Sequence, residues 1–328
     1  MSTSVVAERR LGRTGQAVSE IGHGLWGMGS WCDSDDERSF GALLASAAAG
    51  CTFFDSAWAY GDGHSDTLLG RLQRTHEGTR LLVTSKVPPV TMRFPALASD
   101  TYEATFPRRH VLDSADRIRR ALGVETIPLL QLHVWNDAWA DAPAFAAIVE
   151  ELKAERIVDY VGISLNRWEP ENGLRAVASG LVDTVQVIYN VFDQAPEDEL
   201  FPACRKHDVG VIARVPLDEG SLGGHLTKDT RFPAGDWRSR YFGPENLPET
   251  VERVERLKAL VPAGMTLPEM ALRFVLANAT VSTVIVGMRD NRHVAENLAC
   301  SRADPLPPEL VEHLRAHRWD RQVTPWAN

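Results

Sequence analysis

The sequence has few cysteines and no long hydrophobic run. Its four cysteines lie far apart, at positions 32, 51, 204 and 300, and no two form a CxxC pair. Neither a disulfide framework nor a cysteine-based zinc site is therefore expected. No apolar run approaches the roughly 20 residues that a membrane span requires, and the first ten residues lack the apolar stretch of a signal peptide. These absences favour the reducing cytoplasm and argue against a membrane partner.

Positive charge is scarcer than negative charge. The 328 residues include 35 Lys and Arg against 44 Asp and Glu, which gives a formal net charge of -9. Nucleic-acid-binding proteins usually show a basic excess, so nucleic acid is not an expected partner. With 44% hydrophobic and 24% charged residues, the composition is that of a globular protein rather than a disordered chain.

Short apolar runs recur along the chain, each followed by a turn and a helical pattern. The runs are apolar throughout rather than alternating, which is typical of strands buried on both faces. Eight such runs are present, at residues 21–25, 51–55, 81–85, 127–133, 158–164, 185–189, 210–214 and 281–286. Eight strands that alternate with helices predict an α/β protein of the (β/α)8 TIM barrel type.

An open, doubly wound sheet is the alternative architecture. The barrel is favoured because the alternation continues to the end of the chain without a break in composition. In addition, no GxGxxG fingerprint follows an early strand, since Gly22-His23-Gly24 does not fit that pattern. A single barrel domain over residues 1–328 is therefore expected.

Three segments outside the repeat also have predicted positions. Residues 10–18 are typical of a β-hairpin with a Thr-Gly turn, which would close the bottom of the barrel. Two long irregular stretches, 88–106 and 220–247, each follow a strand, which places them at the C-terminal mouth. Loops of this length are usually functional, so we expect them to shape the substrate pocket.

Four chemically active side chains follow three consecutive predicted strands. Asp55 ends the second strand and Tyr60 follows it, Lys86 follows the third, and His133 ends the fourth. Barrel active sites form at these strand ends. A lysine ammonium favours ionisation of a nearby phenol, and a tuned phenol is a usable general acid for a carbonyl oxygen. A histidine at the same oxygen would stabilise developing charge. The set suits carbonyl reduction by hydride, and it implies a bound hydride donor.

These residues resemble the catalytic tetrad of the aldo-keto reductase family. Residues 54–61, Phe-Asp-Ser-Ala-Trp-Ala-Tyr-Gly, are similar to the family's second-strand motif, and Ser85-Lys86 and Leu132-His133 match the other two positions in order. The resemblance implies a (β/α)8 barrel that reduces an aldehyde or ketone with NADPH, in which Asp55, Tyr60, Lys86 and His133 are catalytic.

The resemblance also carries over residues that would bind the cofactor. Ser164, Asn166 and Gln186 match contacts to the nicotinamide carboxamide, although Leu165 interrupts the usual Ser-Asn pair. Arg214 stands where the family often has an aromatic ring that stacks on the nicotinamide, and a guanidinium can stack too. Further positions similar to the pyrophosphate loop and the adenosine site are Pro216, Leu217, Gly220, Leu222, Gly287, Arg289, His293, Glu296 and Asn297. Arg289 suits a 2′-phosphate, so NADPH is expected over NADH, with NADH possible.

The remaining expectations concern the substrate and the competing functions. The pocket walls are expected to include four tryptophans, Trp26, Trp58, Trp135 and Trp237. Trp26 is also expected to contact the cofactor. Such a mouth suits a sizeable carbonyl compound, apolar or sugar-like. No pair of histidines has metal-ligand spacing such as HExxH, so no metal is expected. Two alternatives remain open: an NADP(H)-binding regulatory subunit with little turnover, and a non-redox barrel such as a sugar isomerase or lyase.

Overall fold

The computed structural model describes residues 6–29 and 34–321. It begins with an antiparallel hairpin, β1 (Glu8–Arg10) and β2 (Ala17–Ser19). Eight parallel strands then close into a barrel in the order β10-β3-β4-β5-β6-β7-β8-β9. They are β3 (Ile21–Gly24), β4 (Phe53–Asp55), β5 (Leu82–Val87), β6 (Ile127–Leu132), β7 (Val158–Ser164), β8 (Thr184–Ile188), β9 (Gly210–Arg214) and β10 (Val281–Gly287). The predicted (β/α)8 barrel is confirmed.

Helices separate the strands and cover the outside of the barrel. They are α1 (Asp36–Ala48), α2 (His64–Thr75), α3 (Tyr102–Thr105), α4 (Arg108–Leu122), α5 (Pro143–Ala154), α6 (Leu174–Ser179), α7 (Leu200–His207), α8 (Arg238–Tyr241), α9 (Asn246–Lys258), α10 (Leu267–Leu276), α11 (Asn291–Ala299) and α12 (Pro308–Arg315). The short helices α3 and α8 lie within the two long stretches predicted as irregular. In the part of the chain that the structure describes, no helix combines the length and apolarity needed to cross a membrane.

Local sequence explains where individual helices begin, end and pack. The Asp35 side chain accepts a hydrogen bond from the Arg38 amide at 2.7 Å and caps α1. Helix α4 ends at Gly123, whose φ of 69° is the left-handed conformation that glycine adopts readily. The inward face of α4 is spaced by three and four residues and is fully buried, and it consists of Val111, Ala115, Ile118 and Leu122.

The hairpin closes the N-terminal end of the barrel, as the sequence predicts. Leu11 and Val18 are fully buried and form a cluster with inward-facing strand residues that include Phe53 and Ile212. A Cβ added at Gly210, the first residue of β9, would lie 2.8 Å from the Leu11 side chain. The bottom is therefore packed shut, and the mouth at the strand carboxyl ends is the open side.

The described cysteines form no disulfide bond. Cys51, Cys204 and Cys300 are buried free thiols, and Cys32 lies outside the described residues. Within residues 6–29 and 34–321, no group of three or more His, Cys, Asp or Glu side chains is arranged to hold a metal ion.

Candidate active site

The barrel brings the four predicted catalytic side chains to one end. Asp55 is the last residue of β4, Lys86 lies near the end of the adjacent β5, and His133 directly follows β6. Tyr60 lies in the turn between β4 and α2. The Lys86 ammonium is 5.1 Å from the centre of the Tyr60 ring, and the Tyr60 and His133 ring centres are 5.7 Å apart in an edge-to-face arrangement.

A buried ion pair forms the floor of this site. Lys86 Nζ donates to Asp55 Oδ2 at 2.6 Å and to the Ser56 carbonyl oxygen at 2.7 Å. The other carboxylate oxygen, Oδ1, accepts from the side-chain amides of Gln186 at 2.9 Å and Gln131 at 3.2 Å. The lysine side chain is fully buried. A buried charge needs such partners because desolvation otherwise outweighs attraction, and the contacts fix the position of the ammonium.

Lys86 and Tyr60 both keep their protons, for different physical reasons. Burial acts to lower the pKa of Lys86, but Asp55 and Tyr60 together outweigh it and the pKa is raised. Burial raises the pKa of Tyr60, and the positive charge of Lys86 opposes this without reversing it. The expected net lowering of the phenol pKa by lysine is therefore not seen, because desolvation is the larger effect. Tyr60 is a neutral phenol that carries a transferable proton.

His133 is an uncharged imidazole. Burial, together with the positive charges of Lys86 and Arg214, lowers the pKa of His133 well below its usual value. Its Nδ1 is buried without a hydrogen-bond partner among the described residues. The ring edge packs against Phe94, with ring centres 4.9 Å apart. A neutral ring with one N–H is suited to donate a hydrogen bond to a substrate oxygen.

A buried carboxyl group lies behind the lysine strand. Asp66, in the first turn of α2, is fully buried and accepts hydrogen bonds from Ser85 Oγ at 2.9 and 3.0 Å. Burial raises the pKa of Asp66 to about 6, although Ser56, Ser85 and Lys86 oppose the rise. Ser85 precedes Lys86 on β5, so this contact ties the lysine strand to the helix that follows Tyr60.

Of the three residues predicted to bind the nicotinamide carboxamide, Ser164 ends β7, Asn166 follows it, and Gln186 is the middle residue of the adjacent β8. Ser164 and Gln186 are paired in register across these strands, and both are buried. The Gln186 amide contacts Asp55 as well. The Asn166 amide nitrogen donates to Glu169 at 2.8 Å, whereas its buried Oδ1 has no hydrogen-bond partner within the described chain. That oxygen is free to accept from a ligand amide.

Arg214 extends from the end of β9 towards the same end of the barrel. One guanidinium nitrogen donates to the Leu165 carbonyl at 3.0 Å, and its buried Nε has no hydrogen-bond partner among the described residues. Burial, with the positive charge of Arg167 adding to it, lowers the pKa of Arg214 to about 10. These unsatisfied polar atoms on Asn166 and Arg214 fit a nicotinamide, which offers both an amide and a planar ring.

The predicted pyrophosphate loop has an unusual backbone. Val215, Asp218, Glu219 and Gly220 all have positive φ, of 58°, 44°, 54° and 99°. A Cβ added at Gly220 would meet nothing within 4 Å, so the peptide there is open to a ligand. Pro216 and Leu222 are buried and Leu217 is half-buried.

The predicted adenosine site surrounds the start of α11. Gly287 ends β10, and a Cβ added there would meet nothing within 4 Å. The Arg289 side chain lies over Gly27, in the loop that follows β3. A Cβ added at Gly27 would lie 2.9 Å from that side chain. His293 Nδ1 is 3.2 Å from the helix-capping carboxylate of Asp290. Glu296 is exposed and Asn297 half-buried on α11.

The four predicted pocket tryptophans differ in position. Trp26 is 36% exposed, and its ring centre lies 6.5 Å from that of Tyr60 and 5.1 Å from that of Trp237. Trp58 packs on the helix side instead: Nε1 donates to Asp62 at 3.1 Å, and the guanidinium of Arg117 is 5.1 Å from its ring centre.

The prediction of Trp135 as a pocket wall is wrong. Its side chain is fully buried, with ring centres 5.7 Å from Trp139 and 4.9 Å from Phe145. The chain turns after β6 so that this ring enters the layer between strand and helix. Trp135 is therefore part of the hydrophobic core.

Several residues near the site carry little or no signal in the sequence. Gln131 was detectable, because a polar residue two positions before His133 on an apolar strand shares its inward direction. Phe94, which is 37% exposed beside His133, lies in an irregular loop that gives no periodic signal. Arg321 also gave no signal, and it forms buried ion pairs with Asp193 and Asp218.

Comparison with known proteins gives a family for this arrangement. The profile described as the Aldo/keto reductase family matches residues 20–318. The chain belongs to the aldo/keto reductase family. Membership makes it an NAD(P)H-dependent oxidoreductase that acts on carbonyl groups, which confirms the predicted class of enzyme.

Individual relatives are distant but cover nearly the whole chain. An NADH-specific methylglyoxal reductase of Escherichia coli (strain K12) is 25% identical over 307 residues, which are 88% of this chain and 91% of that protein. The holo form of an aldo-keto reductase from Bacillus halodurans has a TM-score of 0.75 at 22% identity, covering 98% of this chain and 100% of its own. An aldo-keto reductase from Klebsiella pneumoniae in complex with NADPH has a TM-score of 0.67 at 23% identity, covering 95% of both chains. The two structural matches show the shared fold.

Proposed function

We propose that this protein reduces a sizeable aldehyde or ketone to an alcohol, with NADPH as the cofactor and Tyr60 as the proton donor. The observation that carries the proposal is the buried pair of Lys86 and Asp55, 2.6 Å apart, beneath a protonated Tyr60 at the open end of the barrel. We further propose that residues 1–328 act as one catalytic domain.

Each side chain has a distinct part in the proton transfer. A bound NADPH supplies the hydride. Tyr60 donates its phenolic proton to the carbonyl oxygen, and the Lys86 ammonium stabilises the phenolate that remains. Asp55 holds Lys86 in place and keeps it charged. The neutral His133 donates a hydrogen bond to the same substrate oxygen and orients it.

One position supports NADPH as the preferred cofactor, and two others suit the nicotinamide that NADPH and NADH share. Arg289 lies two residues before α11 and over Gly27, where its guanidinium would bind a 2′-phosphate. Asn166 Oδ1 and Arg214 Nε remain available at the opposite end for the nicotinamide. The Klebsiella neighbour was solved with NADPH, whereas the Escherichia coli relative is named as NADH-specific, so NADH remains a possible second cofactor.

Exposed aromatic rings support a sizeable substrate. Trp26 and Phe94 are each more than a third exposed, and they flank Tyr60 and His133. Large apolar side chains exposed together usually mark a binding surface. A carbonyl compound held between these rings would present its oxygen to Tyr60.

The direct test follows NADPH oxidation over a panel of aldehydes and ketones, with NADH in parallel and a fluorescence titration of NADPH binding. Saturable oxidation that depends on the carbonyl compound, with a lower KM for NADPH than for NADH, is expected. Tight NADPH binding without turnover of any carbonyl would contradict the proposal and would instead fit a regulatory subunit. The absence of binding would contradict both functions.

A further inference from the structure

A buried network of charges joins the C-terminal tail to the loops at the mouth. The Arg321 guanidinium donates to Asp218 Oδ1 at 2.7 Å and to both carboxylate oxygens of Asp193. It also donates to the Tyr241 hydroxyl at 2.8 Å, and that hydroxyl donates to Asp218 at 3.2 Å. Arg321, Asp193, Asp218 and Tyr241 are each at most 8% exposed, so these charges interact with little screening by water.

The network acts on a strained piece of backbone. Asp218 belongs to segment 215–220, in which four residues have positive φ. Val215 is β-branched, and positive φ is a marked outlier for such a residue. Strained conformations of this kind persist only where the surrounding structure holds them in place. The segment directly follows Arg214, and its peptide at Gly220 is open to a ligand.

Besides Tyr241, which contacts Asp218, three side chains from outside the segment hold it, and each of these three contacts a different residue. Asn190 Nδ2 donates to the Val215 carbonyl at 3.0 Å, and Arg167 donates to Glu219 at 2.9 Å. Asn190 and Arg167 come from the loops that follow β8 and β7. Arg321 comes from beyond α12, and it is the one of the three that lies outside the repeating barrel.

We propose that Arg321 is a positioning residue that fixes segment 215–220 in the conformation required to hold a bound dinucleotide, and so slows cofactor release. This inference rests on the proposed NADPH-binding function. Its physical basis is that the bound dinucleotide is released when the segment leaves the competent conformation, so a variant that destabilises this conformation weakens binding in proportion to the loss of its population. Most of the change should appear in the dissociation rate.

A second arginine in the tail provides a matched control. Arg318 donates to both oxygens of Asp198, at 2.8 and 2.6 Å, and so also anchors the tail. Its ion pairs do not include Asp218. If Arg321 only anchors the tail, Arg321→Gln and Arg318→Gln should behave alike. If Arg321 positions the segment, only Arg321→Gln should change cofactor binding.

The experiment measures both variants with and without NADPH. Without cofactor, amide hydrogen exchange of residues 215–224 should quicken in Arg321→Gln and stay at the wild-type rate in Arg318→Gln. In NADPH titration and displacement, Arg321→Gln should raise the Kd by about tenfold, through faster release, as expected if the competent fraction falls to roughly a tenth. Wild-type exchange and release in Arg321→Gln, or equal changes in Arg318→Gln, would overturn the proposal.

Two milder variants keep the proposal testable if Arg321→Gln does not fold. Tyr241→Phe removes the hydroxyl that joins Arg321 and Asp218 without unpairing a buried charge, and Arg321→Lys keeps the charge but not the planar fork. Both variants should release NADPH faster than the wild type but less so than Arg321→Gln. An unchanged release rate in both would refute the positioning role of Arg321. Failure of wild-type protein to bind NADPH would instead refute the proposed function, and the exchange data without cofactor would still report on segment 215–220.

Discussion

Replacing Lys86 with methionine tests the electrostatic account of proton transfer. The ammonium lies 5.1 Å from the centre of the Tyr60 ring. At an effective dielectric constant of about 20, a unit charge at that distance stabilises a full phenolate by about 3 kcal/mol. Because about 1.4 kcal/mol corresponds to a tenfold change in rate, Lys86→Met should lower kcat/KM by about 100-fold.

The same substitution has a second effect, on folding. It leaves the buried Asp55 carboxylate with only the amides of Gln131 and Gln186 among its present side-chain partners. Loss of one partner of a buried pair costs about 3–5 kcal/mol of stability. The double variant Asp55→Asn/Lys86→Met removes the unpaired charge, and it should recover much of the stability but none of the activity.

The assay compares the three proteins at saturating NADPH on one good carbonyl substrate, with Tm measured on the same samples. Activity that recovers together with Tm in the double variant would refute the electrostatic role and leave Lys86 a structural residue. Wild-type kcat/KM in folded Lys86→Met would refute it as well.

Three further predictions concern the surroundings of the site. In steady-state assays, Phe94→Ala should raise the KM for sizeable carbonyl substrates by about tenfold with little change in kcat, because the variant lacks binding surface beside His133. An unchanged KM would contradict this prediction. Trp135→Ala should cost about 3–5 kcal/mol of unfolding free energy in denaturant titration without altering any KM, because the ring is core. The pKa of Asp66 is raised to about 6 from an ordinary 3.8. Between pH 3.8 and about pH 6, the native protein therefore keeps a proton on Asp66 that the unfolded chain has lost. The contribution of Asp66 to stability falls as the pH rises through this range. Asp66→Asn should therefore raise Tm relative to wild type more at pH 7.5 than at pH 4.5, and an equal difference at both pH values would disprove the assignment.

The sequence predicted the barrel because its signal is local and repeated. Each strand is a short apolar run. Each helix has its own spacing of apolar residues and its own C-terminal residue signal, as Gly123 ends α4. The tetrad was predictable for a related reason: parallel strands put their carboxyl ends at one edge, so Asp55, Lys86 and His133 had to meet.

Features that depend on the direction of a side chain were harder to predict. Trp135 lies two residues after His133, yet its ring turns into the core, because chain order does not say on which side of a strand-to-helix turn a ring lies. Desolvation of Tyr60 depends on packing from several elements, so its net pKa direction was not visible in the motif. The ion pairs of Arg321 span more than 100 residues, and no periodic pattern relates such positions.

Exchange of Tyr60 for phenylalanine tests the central claim most directly. The measurement is single-turnover reduction of a good carbonyl substrate by protein preloaded with NADPH, beside an NADPH titration of the same variant. We expect wild-type NADPH affinity with reduction slowed by at least about 100-fold, since general acid catalysis contributes about 10²–10⁴ in rate. Reduction at the wild-type rate by Tyr60→Phe would contradict the assignment of Tyr60 as the proton donor.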